Sequence, residues 1–124
     1  NNTNISIPSN DPQGITSTIE NFASDGYMSN GTTVVRVCVL IEHDRIDDID
    51  ITLVCPDEIS MQLSSNVGGN TQDYGDVAGQ IEVCFTPDAN QTIYDYVGGD
   101  IGNYLPEANF ISLSGCDPNG TWSL

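Results

Sequence analysis

The run from Thr32 to His43, TTVVRVCVLIEH, alternates along its length: Val35, Val37, Val39 and Ile41 fall on one side of an extended chain, and Arg36, Cys38, Leu40 and Glu42 on the other. A period of two marks a strand with one buried face, because successive side chains of a pleated chain point to opposite faces. Leu40 alone departs from the pattern. The alternation resumes after a polar turn, with Ile49, Ile51, Leu53 and Cys55 set against Asp48, Asp50, Thr52 and Val54. It stops at Pro56, which has no N–H to give to a ladder. Elsewhere Gly, Pro, Asn and Asp interrupt the chain about every 8 to 12 residues, which leaves no room for a useful amphipathic helix and matches the spacing of sandwich strands. The chain is therefore expected to be all-β.

Further strands are expected in ITSTIENF (15–22), SMQLSS (60–65) and IEVCFT (81–86), with a short one inside TIYDYVGGDIGNYLP and a last one, TWSL, that reads as cut short. Two DPxG tetrapeptides, Asp11–Gly14 and Asp117–Gly120, have proline second and glycine fourth, as a type I turn prefers. The stretch NVGGNTQDYGDVAGQ, from Asn66 to Gln80, is a long glycine- and aspartate-bearing loop, and loops of that length inside compact domains are usually functional or mobile. A chain of 124 residues is long enough for one real core and too short for two, so residues 1–124 are expected to form a single domain.

Charge narrows the function classes. The chain carries 18 acidic residues against 2 basic ones, a formal net charge of -16. Such a surface repels nucleic acid and anionic membranes and makes divalent cations the natural partners. No apolar run approaches the roughly 20 residues that span a bilayer. No signal peptide or basic anchor is visible at Asn1, so the sequence reads as a mature, soluble piece. The four cysteines, Cys38, Cys55, Cys84 and Cys116, form no CxxC pair, and His43 is the single histidine; a zinc site is disfavoured, and two disulfides in an oxidising compartment are expected. Strand parity places Cys38 and Cys84 opposite the apolar sets of their strands, which favours a bridge between them and leaves Cys55 for Cys116, while spacing alone admits three pairings.

The polar turn HDRIDDID places Asp44, Asp47, Asp48 and Asp50 before an apolar strand. If the strands around it form an antiparallel meander, that turn lies at one end of the sheet and the loop from Asn66 to Gln80 returns to the same end, bringing Asp73 and Asp76 beside it. Hard oxygens from two adjoining loops suit Ca²⁺, which takes about 6 to 8 of them at loose geometry. The expected ligands are Asp48 first, then Asp47, Asp44, Asp73 and Asp76. The turn lacks the spacing of an EF-hand. Neither a GxSxG elbow nor a triad frame accompanies His43, so a hydrogen-bonded structural histidine is expected. With 18 acids present, a pair at glycosidase spacing carries no specificity. Tyr94, Tyr96 and Tyr104 are candidates for a ligand-stacking surface, whereas Trp122 is expected in the core.

The order of landmarks, IPSNDPQGITSTI, VRVCVLIEH, DDIDITLVCP, LSSNVGG, CFTPDA, NYLPE, LSG and DPNGTWSL, resembles that of the P domain, or homo B domain, which follows the subtilisin-like catalytic domain of proprotein convertases and of bacterial secreted proteases. The most specific parts are His43 with Asp48-Ile49, Ile51-Thr52-Leu53 with Pro56, Gly68-Gly69, and Gly120-Thr121-Trp122. The resemblance covers nearly the whole chain. It implies a jelly-roll β-sandwich without catalytic residues of its own, secreted or on a cell surface, that stabilises a neighbouring serine protease domain and supports its maturation. The lysine-poor composition resembles bacterial members of that group. Two departures stand out: Asp47 occupies the place of a family glycine, and the acidic pair that follows the family phenylalanine falls on Thr86-Pro87, leaving Asp88. The resemblance implies a non-catalytic Ca²⁺-binding accessory domain. The alternative is a module that grips an extracellular polysaccharide or protein through Tyr94, Tyr96 and Tyr104.

Overall fold

A computed structural model of the protein describes residues 5–8, 10–22, 26–29, 36–43, 45–68, 81–97 and 102–124. The strands are β1 (Thr18–Asn21), β2 (Val37–Ile41), β3 (Ile51–Val54), β4 (Ser60–Ser64), β5 (Ile81–Phe85), β6 (Gly102–Tyr104) and β7 (Gly120–Ser123). Short 3-10 turns occupy Ile46–Asp48, Ile93–Asp95 and Phe110–Leu113, and among the described residues there is no α-helix. One sheet has the order β1-β7-β3-β4 and the other β2-β5-β6. Among the named strands the pairings are antiparallel except β5 with β6, which run parallel, and an isolated parallel bridge joins Thr92 to Leu105.

The meander expected for β2 to β5 is not the topology. β2 and β3 lie in different sheets, as do β4 and β5. The connection from β2 to β3 holds nine residues, 42 to 50, with a 3-10 turn inside it. Hairpin loops run to about 2 to 5 residues, so this length serves a crossing between layers instead. Each layer can then bury one face of its strands against the other.

Alternation sets which face is buried. Ile51 and Leu53 of β3, Met61 and Leu63 of β4, and Trp122 of β7 face Val83 and Phe85 of β5 and Tyr104 of β6 within one cluster, with Val37, Val39 and Ile41 of β2 packed against it. Leu63 and Phe85 are fully excluded from solvent, and burying a side chain of that size contributes about 1.5–3 kcal/mol. Leu40, which breaks the alternation, is 56% exposed on the outer side of its sheet. Trp122 keeps its one polar atom satisfied inside the core, donating from Nε1 to the Pro118 carbonyl at 2.8 Å.

The outer edge of β4 is not left open. Glu107 N and Ala108 N donate to the Leu63 and Gln62 carbonyls at 3.1 Å each, and the Glu107 carboxylate accepts from Ser65 N at 2.7 Å and Ser65 Oγ at 2.8 Å. Covering an edge in this way removes a template for aggregation. A register shift between Ile51 and Thr52 bends β3, and Gln62 spans the gap by donating from Nε2 to the Ile51 carbonyl at 3.1 Å and the Ser64 carbonyl at 2.7 Å. Two disulfides cross-link the chain: Cys38 to Cys84, directly opposed across the neighbouring strands β2 and β5 of one sheet, and Cys55 to Cys116. This is the pairing that strand parity favours.

Candidate functional site

Register decides which connections meet. Ile41 at the end of β2 pairs with Ile81 at the start of β5, and Ile51 at the start of β3 pairs with Ser64 at the end of β4. The connections 42–50 and 65–80 therefore both run between the same two paired ends. The strand ends that flank the acidic turn and the segment 65–80 are thus brought together by a crossing between sheets, not by the meander that the sequence suggests. Asp44, Asp73 and Asp76 lie outside the described residues.

Within the turn, the buried side chain of Ile49 anchors the chain to the core, while Asp48 and Asp50 face outward. Asp47 is already engaged. The Arg45 guanidinium grips it in a fork, Nε to Oδ1 at 3.2 Å and Nη2 to Oδ2 at 2.9 Å, and sits 3.5 Å from Asp48 Oδ2. Planar guanidinium and carboxylate groups match in this bidentate form. Hydrogen bonding from Arg45 is the main cause that holds the Asp47 carboxyl below its ordinary value, and the same contact raises Arg45. One of the two basic residues in the chain is therefore spent inside the acidic turn, a pairing that a count of net charge hides. The i, i+2 spacing of Arg45 and Asp47 in a tight turn is the signal that could have exposed it.

The donor chemistry suits a hard cation only in part. Asp48, with more than half of its side chain exposed, and Asp50 offer carboxylate oxygens, but Asp47 would have to leave Arg45 to ligate an ion. Among the described residues, the one group of three acidic, histidine or cysteine donors with ligand atoms within 4.8 Å is Cys38, Glu82 and Cys84. Its two sulfurs are bonded to each other, so it offers no thiolate. His43 is tied to the turn that follows it: its Nδ1 lies 2.7 Å from the Arg45 carbonyl oxygen and 3.2 Å from Arg45 N, and the tautomer decides which of the two it bonds.

Two of the three tyrosines expected at a binding surface are in the core. Tyr96 and Tyr104 are each 1% exposed and meet edge to face with ring centroids 5.5 Å apart, so neither presents a ring to a ligand. A stretch rich in glycine and aspartate reads as loop, yet Thr86 N donates to the Tyr104 carbonyl at 3.1 Å and draws that strand into the sheet. Tyr94, by contrast, is 64% exposed. Its 3-10 turn is fixed by Asp95, whose carboxylate accepts from Thr92 N and Thr92 Oγ1, both at 2.9 Å. Those bonds, the backbone one first, lower the Asp95 carboxyl from its ordinary value. Beside this turn, beyond the C-terminal end of β5, Asp88, Ala89, Asn90, Gln91 and Asn103 line a recess of about 370 Å³ that sequence reasoning did not locate.

No family model, curated protein or solved structure matches this chain, so its likeness to P domains rests on the ordered motifs alone.

Proposed function

We propose that this chain is a non-catalytic accessory module of jelly-roll, P-domain type, carried by a secreted or surface-exposed bacterial protein in which it stabilises a subtilisin-like neighbour and supports its maturation. It binds Ca²⁺ at the acidic end of the molecule, with Asp48 as the central ligand and Asp44, Asp73 and Asp76 as partners from the same two connections. The observation that carries the reading is the register: the ends of β2, β3, β4 and β5 that the two aspartate-bearing connections join are paired with one another. Asp47 is the weakest member of the ligand set, because Arg45 already occupies both of its oxygens. The two disulfides support an oxidising, extracellular setting.

The work of such a module is thermodynamic. An ion that binds the folded chain alone stabilises it by mass action, about 2.7 kcal/mol when free ion is a hundredfold above its dissociation constant. Thermal melts in calcium and in EDTA test the proposal. The calcium sample is expected to melt higher, and Asp48→Ala is expected to remove most of the difference. Superimposable melting curves for the unmodified protein would remove the metal from the account.

A further inference from the structure

The recess beyond β5 offers a chemistry that the acidic turn does not. A turn closed by Ala89 N donating to the Thr86 carbonyl at 3.3 Å leads into a segment that bridges Leu105, just beyond β6, in parallel through Thr92. Leu105 N donates to the Gln91 carbonyl at 2.7 Å and Ile93 N to the Leu105 carbonyl at 2.9 Å, so the segment that carries Asp88, Asn90 and Gln91 is pinned to the sheet. The fit beneath it is close: a Cβ at Gly102 would come within 3.3 Å of Gln91 Nε2 and 3.2 Å of the Tyr104 ring. Gln91 Nε2 reaches the Asn103 carbonyl at 3.5 Å, which leaves the Gln91 side-chain oxygen as an acceptor. Asn103 Oδ1 accepts from Arg36 Nη2 at 3.3 Å, which leaves the Asn103 amide protons as donors. The side chains of Asp88 and Asn90 make no hydrogen bond within the described chain.

We propose that this recess binds a neutral saccharide ring, with Asp88 and Asn90 meeting its hydroxyls and Asn103 and Gln91 completing the polar lining. A hydroxyl both donates and accepts, and the wall offers both: carboxylate and amide oxygens as acceptors, amide N–H groups as donors. Anionic ligands are repelled by a chain of net charge -16. A hard dication would find one carboxylate where it prefers several. Tyr94, three residues beyond Gln91 and outside the lining of the recess, is 64% exposed, and an aromatic side chain is one on which the apolar side of a sugar ring can pack. The site is separate from the acidic turn and does not depend on bound calcium.

The test is retention of the disulfide-intact protein on insoluble cellulose, chitin and xylan, followed by backbone amide shift mapping with glucose, N-acetylglucosamine and xylose. We expect retention on at least one polymer in EDTA as well as in calcium, with shifts concentrated at Asp88–Gln91 and Asn103. Asp88→Ala and Asn90→Ala, surface substitutions that should leave the melting curve unchanged, are each expected to weaken retention about tenfold, the cost of a hydrogen bond to a charged or well-placed polar group. Absence of retention on all three polymers together with unshifted amides, or full retention by both variants, would overturn the proposal. Loss of the calcium effect on melting, with retention intact, would overturn the calcium reading and leave this one standing.

Discussion

Removal of each disulfide in turn separates what a cross-link does to the unfolded chain from what its sulfurs do in the core. Cys55 and Cys116 are 61 residues apart and Cys38 and Cys84 are 46 apart. On loop-closure entropy, either bridge is worth about 4 kcal/mol, and the two differ by only about 0.3 kcal/mol. Burial is where they diverge. Cys55 is 2% exposed and Cys116 fully buried, within the cluster that holds Trp122 and Leu113, whereas of the other pair only Cys84 is buried, at 2% exposed, and Cys38 lies exposed. Deleting one buried heavy atom costs about 0.5–1.5 kcal/mol, and the first pair deletes two buried sulfurs against one in the second, so Cys55→Ala with Cys116→Ala should lose about 0.5–1.5 kcal/mol more than Cys38→Ala with Cys84→Ala. Against a domain stability of about 5–15 kcal/mol, loss of the first pair removes about a third or more of the total. Urea denaturation reads the difference directly, and both variants should also show a larger m-value, because a chain freed of a cross-link exposes more surface when unfolded. Because the two loops overlap, loss of all four cysteines should cost less than the two pairs summed. Equal midpoints for the two paired variants would refute the packing argument, and losses below about 1 kcal/mol in both would refute the entropic one.

Two further perturbations probe single contacts. Gly120 has φ +123°, and a Cβ there would come 3.1 Å from Pro56 Cβ, so Gly120→Ala is expected to cost about 1–3 kcal/mol in urea unfolding. Pro56→Gly in the same chain, which removes the Cβ in the way, should recover the steric share and leave the backbone share, and a neutral Gly120→Ala would contradict the geometry. Asp47 has its carboxyl depressed by Arg45, so its contribution to stability is fully present above the ordinary aspartate range and is lost as pH falls through the lower folded value. Carboxyl-carbon NMR should place its midpoint below that of a model peptide, with Arg45→Ala returning it upward; a midpoint at the peptide value in the unmodified protein would show the fork to be absent in solution.

Much of the fold is legible because strand burial has a short period. Ile49, Ile51, Leu53 and Cys55 are buried as their alternation requires, and Val37, Val39 and Ile41 turn toward the same core while Leu40 stays out. Parity carries the disulfides with it, since Cys38 and Cys84 are directly opposed. Sheet membership is not legible in the same way, because a strand buries alternate residues whichever layer it joins. The crossing from β2 to β3 and the parallel pairing of β5 with β6 depend on contacts distant in sequence, which no local window records. Tyr96 and Tyr104 show the same limit at the level of a side chain: ring chemistry is the same in a loop and in a core, and the hydrogen bonds of Thr86 and Leu105 to the neighbouring chain decide between them.

The acidic turn shows why the calcium test needs a salt control. Of the two basic residues, Arg45 is taken by Asp47 and Asp48, and Arg36 reaches the neutral amide of Asn103. The remaining carboxylates meet no side-chain cation among the described residues, so mutual repulsion is relieved by dissolved ions. That relief is generic: the screening length shrinks from about 30 Å at 0.01 M salt to about 8 Å at physiological ionic strength, and sodium chloride achieves it as well as calcium chloride does at matched ionic strength. A coordinated ion behaves differently, since mass action saturates once the site is filled and continues to act against a high sodium background. Melts in calcium chloride should therefore exceed those in sodium chloride of equal ionic strength, with an excess that levels off and that Asp48→Ala abolishes. An Arg45→Ala variant sharpens the result, because freeing Asp47 should raise calcium affinity if that carboxylate joins the site and should only lower stability if it does not. Two salts that raise the melting temperature in parallel at every ionic strength would mean that the aspartates around Ile49 are a screened surface and nothing more.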